Sequence, residues 1–123
     1  MTDASDYGVL LTTLPGRAEA GRMADILIEE RLAACVQMLS IDSIYRWKGA
    51  VHHEPETLLL IKTRTVLFEP AMARIRQLHP YSVPEIVGTP FLVGLPAYLD
   101  WIGEETHAPV SGAPISGGPA PLR

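Results

Sequence analysis

Ala33-Ala34-Cys35-Val36-Gln37-Met38-Leu39, then Ile41-Asp42-Ser43-Ile44-Tyr45-Arg46-Trp47, lead into Lys48-Gly49 and return as Val51-His52-His53-Glu54-Pro55-Glu56-Thr57-Leu58-Leu59-Leu60-Ile61-Lys62-Thr63. Aromatic and β-branched residues on both sides of a Lys-Gly pair mark a β-hairpin. Each arm is roughly a dozen residues, about twice the usual strand length, so the ribbon reaches on the order of 40 Å. That is longer than a 123-residue domain is wide. Part of the ribbon is therefore expected to pass beyond its own core and meet another surface. With a two-residue turn, Trp47 faces Ala50 at the tip and Cys35 faces Lys62 at the base. A loop one residue different would put Cys35 beside Thr63 instead.

Outward from the hairpin, the flanks repeat one pattern of elements. Tyr7 to Thr13 is a short apolar run closed by Leu14-Pro15-Gly16, which suits a strand central in a sheet. From Arg17 to Leu32, Ala20, Met23, Ala24, Leu27 and Ile28 recur at helical spacing, with Gly16 as N-cap. After the hairpin, Phe68, Met72, Ile75 and Leu78 make a second stripe. Pro70 must lie in that helix's first turn, and His79-Pro80 ends it. The run from Glu85 to Gly94 is extended, and Pro90 within it points to an edge strand or a bulge. Pro96 opens a short C-terminal helix carrying Leu95, Tyr98, Leu99 and Ile102. Strand–helix–strand twice over, with the hairpin joining the halves, predicts an α+β fold. It is a ferredoxin-like βαββαβ sandwich, with helices on one face of an antiparallel sheet. Residues 1–6 are expected to form a flexible start, 7–103 the domain, and 104–123 a flexible Pro/Gly-rich tail.

Composition removes several function classes. A net charge of −4 without a Lys/Arg cluster argues against nucleic acid as a partner. No apolar run approaches the ~20 residues of a membrane span, and the acidic start lacks the apolar core of a signal peptide. The single cysteine permits no internal disulfide, so a cytoplasmic, reducing setting is expected. There is no Gly-x-Gly-x-x-Gly, P-loop or Gly-x-Ser-x-Gly spacing, and no organic cofactor is expected. Nothing in the sequence demands an enzyme.

Three places carry candidate chemistry. Cys35 opposite Lys62 is either a thiol pushed toward thiolate by a neighbouring cation or a small buried residue beside a snorkelling lysine. His79-Pro80-Tyr81-x-x-Pro84-Glu85 gathers an imidazole, a phenol and a carboxylate in a proline-stiffened turn. His79 could serve there as a metal ligand or proton carrier, or simply bond the free carbonyls of a helix end. His52-His53-Glu54 alternates along a strand, so His52 and Glu54 share a face; two ligands make a weak metal site, and a solvated tip is the plainer account. Tyr45 and Trp47 stand together near the ribbon tip and read as an interface with a partner.

Taken together, Glu30-Arg31-Leu32-Ala33-Ala34-Cys35-Val36, Ser43-Ile44-Tyr45-Arg46-Trp47-Lys48-Gly49, Leu60-Ile61-Lys62-Thr63 and His79-Pro80-Tyr81-x-x-Pro84-Glu85-Ile86 resemble the CutA family of divalent cation tolerance proteins. The likeness runs over roughly residues 7 to 103. It implies a subunit related to the PII signal proteins and a stable homotrimer whose long hairpins pair across subunits. It also implies a non-catalytic role in tolerance of copper and other divalent metals. On that resemblance Cys35, His79 and Glu85 are the expected metal ligands, and Lys62 and Tyr81 the expected lining of an intersubunit cleft. Tyr45 and Trp47 belong to the expected trimer interface. Some bacterial members carry a cysteine late in the first strand and a His-His pair before Pro-Tyr. Here Thr12 and Leu78 stand in those places, which leaves one copper ligand of three. The family's hairpin return is usually acidic, and His52 and His53 depart from that. An alternative on the same fold is a PII-like anion sensor using Lys62 and Arg64. An acylphosphatase-like hydrolase would need an asparagine to hold its water, and the chain contains none.

Overall fold

A computed structural model of the chain describes residues 2–107. The expected tail therefore lies, from residue 108 on, outside the described residues. The elements are β1 (Tyr7–Leu14), α1 (Arg17–Glu29), β2 (Cys35–Trp47), β3 (Ala50–Arg64), α2 (Phe68–Leu78), β4 (Ile86–Pro90) and α3 (Pro96–Thr106). The strands form one antiparallel sheet in the order β2-β3-β1-β4, the ferredoxin-like arrangement that the element order predicts. No helix among the described residues is long and apolar enough to cross a membrane.

The hairpin closes on two residues. Lys48 (φ 50°) and Gly49 (φ 82°) both adopt left-handed backbone, the geometry of a type I′ turn, whose twist matches the strands it joins. That turn fixes the register along the whole ribbon, from Trp47↔Ala50 to Cys35↔Lys62.

One face of the sheet makes the core. Leu10 and Leu14 of β1 and Leu59 and Ile61 of β3 pack against Ala20, Met23 and Leu27 of α1 and Ala71 and Ile75 of α2. Strand alternation puts the intervening residues on the opposite face. There Gln37, Leu60, Leu11 and Val87 stand in register across all four strands. This second face is only partly covered, and Leu39 upon it is 53% exposed.

Several boundaries differ from expectation. Helix α1 stops at Glu29 rather than Leu32 because Arg31 turns left-handed (φ 58°), and Leu32 and Ala33 both donate their N–H to the Leu27 carbonyl. A 3-10 turn over Thr65–Leu67 precedes α2 and leaves Pro70 in the helix's first turn. The extended run after Pro84 is shorter than predicted: β4 ends at Pro90, as an edge strand paired only with β1. Helix α3 lies on the opposite face from α1 and α2, so the helices do not share one side. Its Tyr98 and Thr106 meet Lys62 and Arg64, which alternate with the buried Ile61 and Thr63. It also continues to Thr106, taking in residues assigned by sequence to the tail. There Thr106 is buried, its Oγ1 accepts from Arg64 Nε (2.9 Å) and it donates to the Ile102 carbonyl (2.8 Å). At the other end, Ala4–Asp6 form a 3-10 turn capped by Asp3 instead of a loose start.

Two core positions carry a stability prediction. The hydroxyls of Thr12 and Thr63 are fully buried with no hydrogen-bond partner among the described residues. An unpaired buried hydroxyl is unfavourable, and valine keeps the shape without it. Thr12→Val is expected to raise unfolding stability by about 1 kcal/mol in urea denaturation. A drop would mean that the hydroxyl has a partner.

Candidate functional site

The site is built where the chain leaves α2. Proline at position 80 forces His79 out of helical backbone (φ −77°, ψ 135°), and the chain then crosses the end of the sheet toward β4. His79 is buried. Its Nε2 lies 2.8 Å from the Thr13 carbonyl, which can only accept, and its Nδ1 lies 3.2 Å from the Tyr81 backbone N–H, which can only donate. These partners select the neutral tautomer with the proton on Nε2. Burial pushes the imidazole below its ordinary range, against the opposing pull of the Thr13 carbonyl and the Glu56 carboxylate.

Tyr81 follows, with its ring 4.9 Å from that of His79. Its hydroxyl donates to Glu56 Oε2 at 2.9 Å. Burial, and then this bond to a carboxylate, hold the phenol well above its usual range. Two strand positions nearer the tip the motif recurs: Tyr45 donates to Glu54 Oε2 at 2.8 Å, and its ring stacks on His52 at 5.3 Å. The bond to Glu54 is the main reason the Tyr45 phenol is raised. His52 Nδ1 lies 3.9 Å from Glu54 Oε1.

Between the ribbon and the 79–85 segment lies a cleft of ≈ 500 Å³. Its walls include Tyr45, Trp47, Tyr81 and Val83, with Glu56 and Glu85 as its ionisable carboxylates. Among the described residues, no lysine, arginine or histidine lines it. Chemically it offers aromatic faces and oxygen acceptors, a setting for cations rather than anions.

The expected residues divide accordingly. Tyr45, Trp47, Tyr81 and Glu85 line the cleft, and His79 supports it from behind. Lys62 does not line it; its ammonium lies 5.5 Å from the Tyr98 ring centre on the face covered by α3. Arg64, the other cation an anion sensor would need, is bound to Thr106. Cys35 is half-buried at the base of β2, opposite Lys62. Glu56 sits six residues from Lys62 on the same strand, roughly 20 Å away. Hence Cys35 and the Glu56 end of the ribbon do not converge. Among the described residues, no three His, Cys, Asp or Glu side chains gather where they could hold one ion.

Glu56 is the cleft carboxylate that the sequence alone did not single out. Its available signal was parity, since it shares a strand face with Glu54 and His52. The Tyr81 contact that fixes it bridges 25 residues of sequence.

Residues 8–105 match the family model described as CutA1 divalent ion tolerance protein. The chain is 48% identical over 99 residues to the divalent-cation tolerance protein CutA of Thermus thermophilus, covering 80% of this chain and 96% of that one. It is 38% identical over 100 residues to the chloroplastic CutA of Arabidopsis thaliana, covering 80% of this chain but 55% of the relative. Among solved structures, CutA from Synechococcus elongatus superposes with a TM-score of 0.83 at 32% identity, covering 86% of this chain and 95% of that chain.

Proposed function

The chain belongs to the CutA1 divalent ion tolerance family, and on that footing we propose that it is a homotrimer that binds divalent metal weakly and acts in metal tolerance without catalysis. The observation that carries the metal part is the cleft itself: two carboxylates, Glu56 and Glu85, among oxygen donors, with no basic residue among the described residues that line it. Carboxylates with water completing the shell bind divalent ions loosely, and a neighbouring copy would add further donors.

The softer ligand set fits less well. Copper on His79 would need an unprotonated nitrogen, and Nδ1 is occupied by the Tyr81 N–H. Cys35 stands at the far end of the ribbon. Glu85 and Glu56 are therefore the principal ligands proposed here, with His79 positioning the 79–85 segment.

Trimer formation has support from the sheet. Its second face leaves Leu39 and Val87 exposed, and among the described residues the outer edges of β2 and β4 are unpaired. Closed threefold assembly would cover both, since an open apolar face and free edges invite association. The free thiol of Cys35 accords with a cytoplasmic setting.

Copper titration by calorimetry tests the metal assignment. Glu85→Gln is expected to weaken binding on the order of tenfold, because it removes one of two charged ligands, while Cys35→Ser leaves it unchanged. Equal affinity in wild type and Glu85→Gln would take the ion out of this cleft.

A further inference from the structure

A second hollow, of ≈ 620 Å³, lies at the end of the sheet opposite the hairpin turn. None of the residues lining it belongs to a strand: its walls come from the α1–β2 connection, the turn before α2 and the second half of α3. The contacts proposed above between copies draw on the open sheet face and the strand edges instead. Its apolar part gathers Ile28, Leu32 and Leu67 around the Trp101 indole. Ile28 is exposed there, and the Trp101 ring is held by stacking on Tyr98 at 5.6 Å. The rim is acidic. Arg31 is engaged by Glu105, whose carbonyl and carboxylate lie 3.1 and 3.9 Å from its Nη1, and Glu30 is clasped by Arg74. That leaves Glu29 on the rim with no hydrogen-bond or ion-pair partner for its carboxylate among the described residues.

An indole beside free carboxylate suits one kind of occupant. Proline-rich segments dock on aromatic-lined grooves because their backbone is already stiff and loses little freedom on binding. A basic residue next to the prolines then pairs with an acid on the rim. This chain carries such a segment at the edge of the hollow. Thr106, the last residue of α3, lines it, and the sequence continues from Ala108 to Arg123 with Pro109, Pro114, Pro119 and Pro121. Arg123 is the single charge in that segment. The family match stops at residue 105, so the segment lies outside the family's domain. Between Thr106 and Pro119 the chain can extend to ~45 Å, ample to double back. Such a tether supplies an effective concentration on the order of millimolar, so a contact too weak to capture a free peptide is still populated. We propose that Pro119-Ala120-Pro121-Leu122-Arg123 folds back into the hollow of its own copy. The prolines and Leu122 lie against Trp101 and Ile28, and the Arg123 guanidinium sits on Glu29.

The test follows the indole N–H signals of Trp47 and Trp101 by NMR in the full chain as it assembles, with Trp47→Phe to assign them. Ending the chain at His107 is expected to move the Trp101 signal and leave that of Trp47 in place. Adding the peptide Ala108–Arg123 to the shortened chain should restore the Trp101 signal, saturating at concentrations on the order of millimolar. Arg123→Glu in the peptide, or Glu29→Gln in the chain, should weaken that binding roughly threefold, as loss of an exposed ion pair does. A nitroxide on Ser116→Cys, in a Cys35→Ser background, should broaden the Trp101 signal of its own chain. Trp101 signals that coincide with and without the segment would overturn the proposal, as would charge variants that bind like the original pair. So would broadening confined to neighbouring copies in mixed assemblies, which would make the occupant another subunit's segment.

Discussion

Leu39→Glu is expected to break the assembly into single subunits, with the mass from light scattering falling roughly threefold from wild type. The reason lies in where the leucine sits. Leu39 pairs with Leu58 on the sheet face away from the core helices, and over half of its surface is exposed in an isolated subunit. A carboxylate there costs the lone subunit little, since it can reach water. Pressed against a second copy, it would be a buried and unpaired charge, which is strongly unfavourable. The thermal transition should fall as well and become insensitive to protein concentration, because the stability contributed by association is lost. A wild type that scatters as one folded subunit would refute the trimer directly, and with it the donors expected from neighbouring copies.

His79→Ala should lower unfolding stability by roughly 2–4 kcal/mol, from the cavity it leaves and from two stranded hydrogen-bonding groups, the Thr13 carbonyl and the Tyr81 N–H. The same residue sets a pH dependence whose sign follows from its burial. The imidazole is depressed below its ordinary value of 6.5 in the folded chain, so the unfolded chain takes up the proton first as pH falls. Its contribution is therefore complete above about pH 6.5 and lost as pH drops through the folded-state value. Protonation also turns Nδ1 from acceptor to donor, opposing the Tyr81 N–H and loosening the wall of the cleft. Urea unfolding of wild type and His79→Gln from pH 8 to 5 should show the steeper decline in wild type. Other carboxylates titrate in both proteins and cancel in the comparison. Parallel profiles would mean that the imidazole titrates alike in the folded and unfolded chains.

Much of the fold was legible because it depends on local rules. Lys48-Gly49 between β-rich arms announces a tight turn; the left-handed backbone of both residues then settles its length at two and, of the two registers the sequence allows, places Cys35 opposite Lys62. The stripes of α1 and α2 announce their buried faces in the same way, through Leu27 and Ile75. Element ends were less legible. Arg31 closes α1 in a left-handed conformation that a sequence would assign to glycine, with its guanidinium Nη1 donating to the Glu105 carbonyl 74 residues away. Thr106 keeps α3 helical because Arg64 meets it, and neither residue advertises the other.

The candidate site divides along the same line. Tyr81 and Glu85 could be found because they lie together in one proline-stiffened turn. Glu56 could not, because its role comes from a hydrogen bond to Tyr81 across the cleft. Likewise, the sequence places His79 at a helix end but leaves its ring nitrogens unassigned; Thr13 and Tyr81 assign them.

By itself the sequence determined the strands, the helices and the family motifs, and narrowed the hairpin register to two. Each of these follows from residues within a few positions of one another or from a strand alternation that a single turn sets in phase. Only the tertiary structure decided that Lys62 turns to α3 while Glu56 faces Tyr81, and so gave the cleft its negative character. That partition depends on which elements cross which end of the sheet, a packing outcome between residues far apart in the chain.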